Sequence, residues 1–111
     1  MNQVLYERLC EVARQGNITH YSEISPLVGL DMAIPEHRNQ MSTLLDQISR
    51  QEHAQGRPFL SAVVIHMDDN IPGNGFFTLA ADLNLFRGGD RFTFFVEELR
   101  RVHDHWRGIS S

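Results

Sequence analysis

Apolar side chains recur at helical spacing over three stretches of the chain. Leu5, Leu9, Val12 and Ala13 fall at i, i+4, i+7 and i+8, one stripe of a helix over about Gln3 to Gln15, and Gly16-Asn17 supplies its stop. Met41, Leu44, Leu45 and Ile48 repeat at i, i+3, i+4 and i+7 on a helix that Pro35 opens, because the missing proline N–H costs nothing at a first helical position. That helix runs to Gly56. Its first turns carry His37, Arg38, Asn39, Gln40, Ser42 and Thr43, and its end carries Arg50, Gln51, Glu52, His53 and Gln55, which read as a solvated tail. A third stripe, Phe92, Phe95, Val96, Leu99, Val102 and Trp106, follows Asp90, a side chain suited to cap a helix start.

Between these stripes the period changes. Thr19 or His20 is placed to cap a short helix with Glu23 in its first turn, where the helix dipole favours an acid, and Gly29-Leu30 ends it after Pro26. Phe59 to Met67 holds the β-branched run Val63-Val64-Ile65 and reads as a strand buried on both faces. Asp68 to Gly75 is turn chemistry, so the partner of that strand is expected at Gly75 or Phe76, as a hairpin, or in a second subunit. Phe76 to Phe86 reads as a buried helix from about Phe77, closed by Arg87-Gly88-Gly89. The pattern predicts one α+β domain over residues 1–111, mainly helical, with about five helices and a small β-hairpin or wing. Its predicted core contains Leu9, Val12, Leu44, Leu45, Ile48, Val63, Ile65, Phe77, Phe95, Leu99 and Trp106.

Composition adds bounds. With 111 residues, 41% hydrophobic and 22% charged, the chain can bury a core without metal or disulfides. Cys10 is the one cysteine, so no intrachain disulfide forms, and it is read as a small hydrophobe at a core edge. The longest apolar run, Ala62 to Ile65, is too short to span a bilayer, and Met1-Asn2-Gln3 lacks the pattern of a signal peptide. A cytoplasmic location without a membrane partner is expected. All ten basic residues are arginines, set against fourteen acids for a net charge of −4, so any basic face for nucleic acid must be small.

The candidate chemistry is sparse. His103 and His105 are two apart on a helix and face different ways, and His37 and His53 lie ~24 Å apart along one helix, so neither pair chelates. His66, just before Asp68-Asp69, is a general-base candidate only if a pocket joins it to Asp68 and a further titratable group. Asp68-Asp69-Asn70 lacks calcium-loop spacing. No metal, cofactor or catalytic residue is assigned. The segment Gly73-Asn74-Gly75, between a strand and a helix start, is the arrangement that offers backbone N–H groups to a small anionic ligand.

The order helix, short helix, polar-fronted helix, strand and turn is that of a winged helix-turn-helix. Ile18 to Leu30, ITHYSEISPLVGL, resembles the helix-turn-helix opening of alkyltransferase-like DNA-repair domains, and Ser61 to Phe76 stands where those domains have their active-site strand and wing. The family's Pro-Cys-His-Arg motif is missing, the strand reading Leu60-Ser61-Ala62-Val63-Val64, which excludes alkyl transfer. From Tyr21 through GRPFLSAVVIH, PGNGFF and VEELRRVHDHW to Trp106 the chain also resembles a group of short uncharacterised bacterial proteins, a likeness that implies no function. The first resemblance implies nucleic-acid contact by Arg38, Asn39, Gln40 and Thr43, with Arg57 on the backbone. The sequence therefore predicts a non-enzymatic binding module, winged-helix-like in its first half, whose partner is a nucleic acid. The alternative is an acidic immunity or inhibitor-type protein that binds a basic protein partner such as a nuclease toxin, and a third reading is anion binding at Gly73 to Gly75. Phe94, off the apolar stripe, together with Phe76 and Phe86, suggests a homodimer interface.

Overall fold

A computed structural model describes residues 2–107. The elements follow as α1 (Gln3–Arg14), β1 (Thr19–His20), α2 (Tyr21–Ile24), α3 (Pro35–Ala54), β2 (Val64–Ile65), α4 (Asn74–Asp82) and α5 (Arg91–Trp106), with 3-10 turns at Ser25–Val28 and Leu60–Val63. This is the mainly helical α+β architecture of five helices and a small β element that the periodicities predict.

Local chemistry sets the helix ends. Asn2 Oδ1 accepts from the Leu5 N–H at 3.0 Å and caps α1. Gly16 (φ 69°) and Gly29 (φ 70°) close α1 and the Ser25–Val28 turn in the left-handed conformation that glycine adopts without Cβ strain. The Glu23 carboxylate accepts from the His20 N–H at 3.0 Å, so extended His20 turns directly into α2. Asp90 Oδ2 caps α5, accepting from the Thr93 N–H at 3.0 Å and the Thr93 hydroxyl at 2.7 Å.

The β element departs from the expected hairpin. β1 and β2 pair in parallel, Thr19 opposite Val64 and His20 opposite Ile65, and Gly75–Phe76 forms no strand. The chain after β2 folds back on itself instead: the His66 N–H donates to Ile71 O and the Asn70 N–H donates to His66 O, both at 2.9 Å, with Asn70 at φ 58°. The edge of β2 is thereby left to β1. The apolar run is shorter as a strand than its β-branched residues suggest, because burial on all sides removes the alternation that would fix its conformation, and Leu60–Val63 winds into a 3-10 turn. Helix α4 starts at Asn74 rather than Phe77. It ends at Asp82, where Asn84 (φ 60°) lets the Leu85 N–H reach Ala80 O at 2.8 Å; Arg87-Gly88-Gly89 lies further on, in the connection to α5.

The Leu60–Val63 turn sits at the centre, against α1, α3 and α5. Leu9, Leu45, Ile48, Val63, Ile65, Phe77, Phe95 and Trp106 are buried as expected, while Val12, Leu44 and Leu99 lie partly buried at the core's edge. Two buried acids depart from the pattern. On α5 the inward face is Phe95, Glu98, Val102 and Trp106, with Phe92 and Val96 exposed. Glu98 tolerates this position because it accepts from the Phe59 N–H at 2.8 Å and from Arg101 at 2.9 Å. Glu52, expected in a solvated tail, is fully buried between Arg57, at 2.6 and 3.0 Å, and the Tyr6 hydroxyl, which donates at 2.9 Å. Phe94 is half-buried by its own chain, its ring centroid 5.9 Å from Phe76 and 5.1 Å from Phe86. Among the described residues no helix is long and apolar enough to cross a membrane.

Candidate functional site

The opening turns of α3 and the start of α4 face each other across a cavity of about 650 Å³, a size typical of small-molecule sites. Helical spacing places Arg38, Asn39, Ser42 and Asp46 along the side of α3 that lines it. Opposite stand Gly73, Asn74 and Gly75, where the two glycines serve close approach. A Cβ on Gly73 would lie 3.1 Å from His66 Nε2 and 3.2 Å from the Tyr21 hydroxyl, and one on Gly75 would lie 2.7 Å from Ser42 Oγ. The Tyr21 hydroxyl accepts from the Gly73 N–H at 3.0 Å, and its ring stacks on His66 with centroids 4.4 Å apart. Burial pushes the Tyr21 phenol pKa up, the Gly73 N–H partly offsetting this by favouring the phenolate. Arg91 fastens the far side, donating to Asn74 Oδ1 at 3.0 Å while its guanidinium lies 4.8 Å over the Phe77 ring.

Charge decides what this cavity tolerates. Asp46, Asp68 and Asp69 line it, against Arg38 as the one arginine. Asp46 is held by Arg50 at 2.7 Å, and Asp69 accepts from the Ile71 N–H at 3.3 Å. Arg38 has no ion-pair partner among the described residues. The helix start at Gly73 to Gly75 does face the cavity; with Asp46 paired to Arg50, the lining sets Asp68 and Asp69 against Arg38, an excess of one negative charge that opposes the anion expected from the loop alone.

No known protein family, curated protein or solved structure matches the chain. Of the residues singled out for nucleic acid, Arg38 and Asn39 join Gly73, Asn74 and Gly75 in the cavity; Gln40 and Thr43 do not line it, and the Thr43 hydroxyl donates to Asn39 O of its own helix at 3.1 Å. Arg57 does not line it either and is committed to Glu52. His66 and Asp68 do meet there with other titratable groups, yet among the described residues no side-chain hydrogen bond joins His66 to a carboxylate or a hydroxyl. Among the described residues no three His, Cys, Asp or Glu side chains are grouped to hold a metal ion. Cys10 is buried, and burial pushes its thiol pKa up, away from nucleophilic chemistry.

Four lining or supporting residues carried no local signal. Tyr21 and Asp46 sit in segments read only for their helices, Ser61 in one read as strand, and Arg91 at a helix start. A distant partner gives Tyr21, Ser61 and Arg91 their roles: His66, Ser49 and Asn74 respectively.

Proposed function

We propose that the protein is a non-enzymatic binding module whose working surface is the cavity between α3 and α4, and that it takes a small polar ligand there. The observation that carries this is convergence: Arg38-Asn39 and Gly73-Asn74-Gly75, distant in sequence, meet at one cavity of ligand size beside a stacked Tyr21–His66 pair.

Nucleic acid is the second reading, favoured by the exposure of Arg38, Asn39 and Gln40 at the start of a 20-residue helix. One free arginine beside three carboxylates gives it a small electrostatic footprint. Amide chemical-shift mapping separates the two. Titration with small neutral and cationic polar fragments is expected to move Ser42, His66, Gly73, Asn74 and Gly75, whereas a short random DNA duplex at low salt moves few of them. Shifts produced by duplex alone, reduced by Arg38→Ala and by added salt, would replace the ligand reading with the nucleic-acid one. Shifts at these amides with neither, alongside capture of a basic protein, would favour the acidic-inhibitor alternative.

A further inference from the structure

We propose that the Tyr21–His66 ring pair is a stacking platform, and that the cavity takes a neutral, planar aromatic ring carrying a carboxamide-type edge. The proposal rests on the cavity being a ligand site and names the class of guest. Tyr21 and His66 both line the cavity, their rings 24° from parallel with centroids 4.4 Å apart. Tyr21 is the inner ring: it is partly buried, and its hydroxyl is tied to the Gly73 N–H at 3.0 Å. His66 is the exposed one. One face of the imidazole is therefore covered by a ring held in place, and among the described residues no second ring lies against the other face.

Gly73 shows how closely this pair is fitted to the cavity wall. Its backbone, at φ −70°, lies outside the left-handed region, so the turn itself does not demand glycine. The side chains do, because a Cβ would lie 3.1 Å from His66 Nε2 and 3.2 Å from the Tyr21 hydroxyl and would press on both ring edges. The polar edges of the two rings thus meet at a cavity-lining residue that has no side chain to cover them.

Charge and hydrogen bonding set the rest of the guest. With Asp46 paired to Arg50 at 2.7 Å, Arg38 offsets one of Asp68 and Asp69. The remaining excess of one negative charge is too small to build a cation site, yet it opposes a carboxylate or phosphate. Binding then comes from the rings and from neutral hydrogen bonds. The Tyr21 hydroxyl accepts from Gly73 with its own proton unspent, and Asn74 spends only Oδ1, on Arg91. The Arg38, Asn39 and Ser42 side chains, which also line the cavity, make no hydrogen bond among the described residues. A carboxamide offers an acceptor oxygen and N–H donors together without adding charge, and a flat ring is the shape that stacks.

The test titrates probes of one skeleton into the full chain: benzamide; cyclohexanecarboxamide, which keeps the carboxamide without the flat ring; benzoate, its anionic counterpart; and benzamidine, its cationic one. Amide shifts at Gly73 to Gly75 give the affinities, and upfield movement of the probe's ring protons reports stacking. Benzamide is expected to bind more tightly than the other three and to show the upfield movement. His66→Ala should weaken benzamide about fivefold to tenfold, to the level of cyclohexanecarboxamide, and leave the latter unchanged. His66→Phe, which restores an aromatic face without the ring nitrogens, should recover the preference and guards against a merely structural effect of His66→Ala. Equal binding of benzamide and cyclohexanecarboxamide, an unchanged preference in His66→Ala, or tighter binding of benzoate or benzamidine overturns the proposal while leaving the cavity a ligand site. No shift with any probe removes both.

Discussion

Replacing Arg57 by alanine should damage the fold and spare the cavity. Glu52 is fully buried, and its carboxylate has three partners: Arg57 Nε at 2.6 Å, Arg57 Nη2 at 3.0 Å and the Tyr6 hydroxyl at 2.9 Å. The substitution removes two of the three and strands a charge. Breaking a buried pair in this way costs about 3–5 kcal/mol. The Arg57 side chain is 28% exposed, so water can enter the vacated volume, which places the effect near the lower end, about 3 kcal/mol. At about 4 °C per kcal/mol for a domain of this size, the Tm should fall by about 12 °C. Glu52→Leu combined with Arg57→Leu should recover much of that loss, because no unpaired charge remains. Circular dichroism melts of the single and double variants, with urea denaturation for the free energies, measure both. A fall below about 3 °C for Arg57→Ala would show that Glu52 is not held by this pair. An intact fold with lost nucleic-acid binding would return Arg57 to a contact role.

Asp90 gives a pH dependence whose sign is fixed. The Thr93 hydroxyl, the largest cause, and the Thr93 N–H hold its carboxyl below the usual range, so its stabilisation is full above about pH 4 and is lost as the pH falls through the lowered value. Asp90→Asn keeps a capping acceptor without the titration, and the stability difference from the parent chain should shrink toward zero in acid; a constant difference would show that Asp90 does not titrate with folding. At Gly75, alanine should gain up to about 1 kcal/mol of helix propensity, offset by the 2.7 Å contact of its Cβ with Ser42 Oγ. Gly75→Ala is therefore expected to be near neutral alone and stabilising beside Ser42→Ala, and additivity of the two in urea melts would refute the contact.

Much of the architecture was legible because its signals are local. The stripes of α1 and α3, Pro35 at a helix start, the turns at Gly16 and Gly29, and the Asp90 cap each depend on residues within one or two turns of each other. The errors fall where tertiary partners overrule local preference. Glu52 and Glu98 look like surface residues until Arg57 and Tyr6, or Phe59 and Arg101, arrive to satisfy them. The strand is shorter at both ends than its residues suggest, since an apolar run buried on all sides has no period to read, and its partner lies far upstream. For the site, Arg38, Asn39 and Gly73 to Gly75 were visible as residue types. Their meeting, and the roles of Tyr21, Ser61 and Arg91, depend on packing between distant segments. The Arg57–Glu52 pair carries no sequence signal, because an arginine after a helix looks the same whether it faces solvent or a buried acid.

The two-residue sheet has a consequence for how the cavity comes into being. With His20 opposite Ile65, the next step along both strands brings Tyr21 beside His66, so the ring pair at the cavity is an extension of the strand register. A slip of one residue would turn each side chain to the other face and separate the rings. Such short strands gain little from their own ladder, and they meet only after the intervening chain, including α3, has closed into a loop. The site should therefore be a late product of folding, absent from partly folded forms. Ligand occupancy and global stability are then linked: a guest that binds only the native chain raises its melting temperature with the logarithm of concentration, and substitutions at Thr19 or Val64 that weaken pairing lower apparent affinity without touching the guest.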